Sequence, residues 1–230
     1  MSSAPEASGG GAATLVLWRH GRTGSNAEGR FQGQLDTALD DVGREQARTS
    51  AAVLAGLPPD RLVTSDLRRA ADTAGELASL TGLEAHRDPD LRELDAGAWQ
   101  GLLHRQIEDG WPQMHAAWRS GEDVRIGGGE RRSELGRRVA GALQRHAALT
   151  PDGGVLVAAS HSGALRAGVL ALLGLPPEAW AGLGSLGNGR WAVVERRHGR
   201  WVLRGYDLGP RRPGDAAGGL SSTAAERAVV

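Results

Sequence analysis

Two histidines and several arginines stand where apolar segments run out. Thr14-Leu15-Val16-Leu17-Trp18 leads straight into Arg19-His20-Gly21. Much later, Val155-Leu156-Val157-Ala158-Ala159-Ser160 leads into His161-Ser162-Gly163. Imidazole serves as nucleophile, base or acid near neutral pH. Guanidinium grips phosphate oxygens through paired, charge-assisted hydrogen bonds. Two more segments bring matching groups: Ser65-Asp66-Leu67-Arg68-Arg69, and Leu91-Arg92-Glu93-Leu94-Asp95 in a loop continuing to Gly97, Trp99 and Gly101. Taken singly, each has a bland structural explanation; it is their joint placement that suggests chemistry. A phosphate monoester carries close to two negative charges. A neutral His20 would attack phosphorus while two arginines hold the oxygens. A carboxyl such as Glu93 would protonate the leaving alkoxide and then activate water. His161 opens a helix, so the backbone N–H groups of Ser162 and Gly163 are expected to face the same oxygens. Such catalysis is positioning plus charge stabilisation, and calls for no metal and no cofactor. It also asks for two imidazoles of opposite habit, His20 neutral and His161 a cation or a donor to the phosphoryl oxygens.

These groups need strand ends to hold them, and the chain supplies alternating strands and helices. Asp40 or Asp41 caps a helix through Ala55, ended by Gly56 and Pro58-Pro59. Arg61-Leu62-Val63-Thr64-Ser65 reads as a short buried strand, with Ser65 capping a helix whose apolar face runs Leu67, Ala71, Ala74, Leu77 and Ala78. Residues 83–86 form a weaker strand. Leu135, Val139, Ala142, Leu143 and Leu149 mark a helix before the strand at 154–159, and a helix from Ser162 to Leu173 follows. The end reads as a hairpin, 191–194 and 201–203, turning near His198-Gly199. This order predicts an α/β fold in three layers: a mostly parallel sheet with helices on both faces, in which ligands bind at the carboxyl ends of the strands. The domain is expected to span 14–207. Residues 1–13 and 208–230, rich in Gly, Ala, Ser and Pro, are expected to be disordered tails.

Composition removes alternatives. The chain has 230 residues, zero formal net charge and no cysteine, which excludes disulfides, thiolate metal sites and cysteine nucleophiles. All 27 basic residues are arginine, which excludes a lysine Schiff base and a Walker A lysine. The neutral balance argues against nucleic acid and anionic membranes as partners. No apolar run approaches a membrane span and the first residues lack a signal-peptide pattern, so a cytoplasmic protein is expected. The sole Asp-x-Asp triplet, Asp88-Pro89-Asp90, lacks the apolar strand that an aspartyl phosphatase needs. Of the remaining histidines, His86, His146 and His198 are expected to be exposed. His104 and His115, among Trp99, Trp111 and Trp118, are expected in a lid, packed or solvated, with contact to the substrate as the alternative.

The motifs together resemble the histidine phosphatase superfamily, also called phosphoglycerate mutase-like. Its strand followed by Arg-His-Gly-x-Thr-x-x-Asn is matched by Arg19, His20, Gly21, Thr23 and Asn26, and its phosphate-pocket glutamine by Gln32. Ser65-Asp66-Leu67-Arg68-Arg69-Ala70 matches the second motif, Leu91-Arg92-Glu93 the acid loop, and Ser160-His161 with Gly163 the second histidine segment. The resemblance implies a phosphoglycerate mutase-like fold. It implies His20 as nucleophile, Arg19 and Arg69 as clamp, Glu93 as proton donor and His161 as the second catalytic histidine. Asn26, Gln32, Thr23, Gly21 and Ser162 are implied as phosphate-binding. Arg22, Ser162 and Arg131 depart from the usual pattern, and Arg22 and Arg131 are expected to affect substrate range. Segments 32–37, 99–107 and 180–191 look like actinobacterial glucosyl-3-phosphoglycerate phosphatases. The implied activity is metal-independent hydrolysis of a small phosphorylated metabolite, such as glucosyl-3-phosphoglycerate or a related sugar or glycerate phosphate. The alternative is a 2,3-bisphosphoglycerate-dependent mutase. It is disfavoured by the short stretch between Gly101 and Gly128. Family members are often dimers, so a homodimer is the expected assembly.

Overall fold

The computed structural model describes residues 11–210; the expected tails lie largely outside them. Six strands form one sheet in the order β3-β2-β4-β1-β5-β6. They are β1 (Thr14–Arg19), β2 (Arg61–Thr64), β3 (Ala85–Arg87), β4 (Val155–Ser160), β5 (Trp191–Arg197) and β6 (Arg200–Leu208). The first four in sheet order are parallel, and β5 and β6 add an antiparallel hairpin. Alternation along β1 sends Leu15 and Leu17 into one apolar layer and Val16 and Trp18 into the other. The helices α1 (Gly24–Glu28), α2 (Asp41–Ala55), α3 (Arg68–Thr81), α4 (His104–Gly110), α5 (Pro112–Ser120), α6 (Arg132–Ala148) and α7 (Ser162–Leu172) connect the strands. Leu54 of α2 and Leu77 of α3 pack on the Val16 side; Leu135 and Val139 of α6 and Leu165 of α7 pack on the Leu15 side. This is the three-layer α/β arrangement read from the sequence. Among the described residues no helix is long and apolar enough to cross a membrane.

The strand order explains where the histidines meet. The chain leaves β1 and reaches β2 two positions away, and β4 later fills the gap between them. The C-terminal ends of β1 and β4 are therefore neighbours, with Arg19 opposite Ser160, and the His20 N–H donates to the Ser160 carbonyl at 2.9 Å. A crevice at such a reversal of strand order is the usual ligand site of an open α/β sheet.

Several local expectations change. Ser65 does not cap α3: the N-cap is Leu67, two residues later, and the Ser65 hydroxyl accepts from the Leu67 N–H at 3.3 Å while meeting His161 at 3.0 Å. The buried stripe of α3 is Arg69, Ala70, Thr73, Ala74 and Leu77, rotated one residue from the purely apolar face, because the fold buries Arg69. Leu149 lies beyond α6 as its C-cap and is exposed. His146 is not exposed; its side chain is 13% accessible and meets Asp88 at 3.0 Å. Helices α1, α4 and α5, of 5, 7 and 9 residues, are shorter than the helices that the sequence pattern marks. The packed region also begins before Thr14. Ala12 is fully buried and its N–H donates to the Ala147 carbonyl at 2.8 Å. At the other end, β6 runs to Leu208.

Candidate active site

The loop after β1 is pinned before it reaches any ligand. A Cβ on Gly21 would lie 2.1 Å from the Gly43 carbonyl oxygen of α2, so only glycine permits this approach. The Gly21 N–H donates to the Thr73 hydroxyl of α3 at 3.1 Å, and Asn188 donates to the His20 carbonyl at 3.2 Å. His20, 3% exposed, contacts the Gly21 carbonyl through Nδ1 at 2.6 Å. A carbonyl oxygen can only accept, so Nδ1 carries the proton and Nε2 keeps its lone pair. Arg69 Nε lies 3.3 Å from that Nε2 and 3.1 Å from His161 Nδ1. The two imidazole centroids are 5.2 Å apart.

Arg69 is fully buried. Its terminal nitrogens donate to the carbonyls of Leu35 and Gly33 at 2.7 and 2.8 Å, and each retains a second N–H. Burial lowers its pKa to about 10 against the opposing pull of Glu93 and Asp36. Arg19 donates to the Leu186 carbonyl, and its Nε is buried with no protein partner. Both imidazoles are held well below the usual histidine range, first by burial and then by Arg69. Of the two roles expected for His161, the cationic one is corrected for the free site. Arg69 donates to its Nδ1, its Nε2 meets the Ser65 hydroxyl at 3.0 Å, and the ring is neutral.

The N-terminus of α7 is also used differently from expectation. Gly163 and Ala164 N–H groups donate to the two oxygens of Glu93, at 3.0 and 2.8 Å. The Gly163 amide is therefore committed to orienting Glu93 instead of facing an anion. The Leu94 N–H adds a third bond to Glu93 at 2.9 Å.

A cleft of about 270 Å³ opens above these groups. Arg19, Asn26, Gln32, Arg69, Glu93 and Ser162 line it. Gln32 accepts from the hydroxyls of Thr23 and Thr37 at 2.9 and 2.6 Å through Oε1, which leaves its Nε2 as the donor end. Asn26 Oδ1 accepts from Thr23 N and Asn188 Nδ2, both at 3.2 Å. Thr23, the N-cap of α1, and Gly21 stand behind this wall and orient the residues that form it. The outer wall contains Arg30, Phe31, His104, Trp118, Arg166 and Trp180. Phe31 packs edge-on against Trp99, Trp118 and His104, while His115 stacks on Trp118 and is buried. Sequence reasoning missed Thr37, Thr73 and Arg166; only Arg166 carried a signal, as a charge within the apolar α7 segment.

Arg22 and Arg131 do not reach the cleft. Arg22 donates to Asp40 at 2.8 Å, and Arg131 donates to the Asp123 carbonyl. The expectation that they affect substrate range finds no contact to act through. Among the described residues no group of three or more His, Asp or Glu is placed to hold a metal ion.

Comparison with known proteins matches the model for the histidine phosphatase superfamily (branch 1) to residues 15–208. The chain is 40% identical over 195 residues to glucosyl-3-phosphoglycerate phosphatase of Mycobacterium tuberculosis, covering 82% of this chain and 86% of that one. It is 37% identical over 197 residues to a probable phosphoglycerate mutase of Yersinia enterocolitica, covering 84% and 89%. A solved structure of a mycobacterial glucosyl-3-phosphoglycerate phosphatase with VO3 superposes with a TM-score of 0.81 at 39% identity, covering 85% of this chain and 98% of that one.

Proposed function

The chain belongs to the histidine phosphatase superfamily (branch 1) and is a phosphatase; from that premise we propose that it hydrolyses a small phosphorylated metabolite through a phosphohistidine on His20. The observation that carries the assignment is the Nδ1 bond from His20 to the Gly21 carbonyl, which fixes the nucleophilic lone pair on Nε2. In the first step Nε2 attacks phosphorus in line and the P–O bond to the alcohol breaks. Glu93 gives its proton to the departing oxygen. In the second step water attacks the phosphohistidine, Glu93 takes a water proton, and the P–N bond breaks to free inorganic phosphate and neutral His20. Arg19 and Arg69 stabilise the equatorial oxygens throughout. Asn26, Gln32 and Ser162 supply further donors at the wall, and His161, neutral in the free site, gains a proton as the dianion arrives.

The relatives favour a phosphatase over a bisphosphoglycerate-dependent mutase. Glucosyl-3-phosphoglycerate, named for the mycobacterial relative, or a related sugar or glycerate phosphate is the proposed substrate class. A cytoplasmic, homodimeric enzyme completes the proposal.

The test is rapid quenching with a ³²P-labelled monoester. An acid-labile, base-stable phosphoprotein should form, and His20→Ala should abolish it with a loss of turnover of at least ~10³-fold. Exhaustive chelation should leave turnover intact, and vanadate should inhibit as a mimic of pentacoordinate phosphorus. An adduct that persists in His20→Ala would overturn the assignment. A metabolite screen reading phosphate release and mutase turnover separately fixes the substrate.

A further inference from the structure

One cation in the cleft takes part neither in an ion pair nor in the proposed phosphoryl chemistry. Arg166 lies on α7 four residues after Ser162, and both line the cleft. Residues i and i+4 share a helix face, so Arg166 stands about one turn, roughly 6 Å, farther along α7. Arg19 and Arg69 hold the phosphoryl group, and Arg30 is paired with Glu28 at 2.6 Å. Among the described residues Arg166 has no carboxylate partner. Its hydrogen-bond acceptor is the Trp180 carbonyl, and its Nε is buried without a partner.

The side chain is also held in place. Its guanidinium carbon sits 4.0 Å from the Trp180 ring centroid, and that of Arg132 sits 4.7 Å from the same ring. Arg132 is engaged by the carbonyls of Trp118 and Glu122. Burial and then Arg166 hold the Arg132 pKa down to about 10, and burial lowers that of Arg166. A partly buried guanidinium without a counter-ion, at a cleft wall and beside a second cation, is destabilised until an anion arrives.

We propose that Arg166 binds a carboxylate on the alcohol portion of the substrate, so that the enzyme selects phosphate monoesters bearing a second anion a few atoms from the phosphorus; this rests on the phosphatase reading above. One turn of helix is of the order of the distance between a phosphate and a carboxylate on a three-carbon chain. A single unpaired guanidinium matches the single charge of a carboxylate. A second phosphate dianion would need another free cation, and Arg132 does not line the cleft.

The experiment compares 3-phosphoglycerate with glycerol 3-phosphate, which keeps the carbon chain and phosphate but replaces the carboxylate by a hydroxymethyl group. kcat and KM are measured for the native enzyme, Arg166→Met and Arg166→Lys, together with inhibition by inorganic phosphate. The native enzyme should prefer the carboxylated ester by about tenfold or more. Arg166→Met should erase that preference, mainly through KM, and Arg166→Lys should restore part of it. Loss of the same factor on both esters, or a tenfold rise in the phosphate inhibition constant, would assign Arg166 to the fold or the phosphoryl site and overturn the proposal. So would a native enzyme without preference that still hydrolyses both esters. Failure to hydrolyse these esters and p-nitrophenyl phosphate would overturn the phosphatase reading itself, and this proposal with it.

Discussion

At the scale of residues, the site works through tautomers and positions set by neighbours. His20 is neutral because burial and two arginines oppose a further proton, and it is aimed because a carbonyl accepts its Nδ1–H. An NMR titration of the imidazoles should therefore show neither His20 nor His161 protonating as pH falls from 8 through 6.5. Adding inorganic phosphate should move the His161 transition upward, since a dianion favours the cation. A His161 midpoint at or above 6.5 without phosphate would contradict the geometry. In the proposed mechanism Glu93 supplies the proton to the leaving alcohol. Glu93→Gln should cost alkyl phosphates ~10²–10⁴-fold and cost p-nitrophenyl phosphate far less, because p-nitrophenolate leaves without needing a proton. Equal losses for the two substrates would remove Glu93 as general acid and make Asp95 the next candidate.

At the scale of elements, the N-terminus of α7 serves Glu93. Its amides fix both carboxylate oxygens, and Gly163 is required because a Cβ there would lie 2.5 Å from Glu93 Oε1. The atom in the way is the end of a flexible side chain, so Gly163→Ala should displace Glu93 and leave the helix intact. The variant should melt within about 1 kcal/mol of the native protein, yet lose alkyl-phosphate turnover preferentially. A crystal structure of the variant with Glu93 unmoved and turnover unchanged would refute this. The same element explains why the anticipated anion site at α7 is only partly available: the amide of Gly163 already has a charged acceptor.

At the scale of the whole molecule, burying titratable groups at the sheet's switch point links activity to stability. His20 and His161 both have pKa values lowered well below the usual histidine range in the fold, in each case first by burial. Unfolded, each takes up a proton as pH falls through about 6.5; folded, each resists to lower pH. The unfolded chain thus binds more protons in that window, and stability falls as pH falls. The slope is ~1.4 kcal/mol per pH unit for each fully shifted group. Melting temperature should drop between pH 7.5 and 5.5, by about 2–4 °C per kcal/mol for a domain of this size. His161→Asn, which removes one such group, should show a shallower drop. An unchanged slope would mean that His161 is protonated in the native state.

Local chemistry made some of this legible in the sequence. Alternation and apolar runs gave every strand and the long helices, since burial of a repeating face is a local pattern. Arg19, His20, Arg69, Glu93 and His161 could be picked out because each follows a strand or turn in a recognisable motif. What decided their function was the order of strands in the sheet, which no local pattern contains. Placing β4 between β1 and β2 brings His20 and His161 together across 141 residues of chain. Tertiary packing alone buried Arg69 beside Ala70, Thr73, Ala74 and Leu77, brought the Ser65 hydroxyl to His161, and gave the amides of α7 to Glu93. It also neutralised His161, because a proton's cost depends on burial and on the guanidinium beside it, and both are properties of the assembled site.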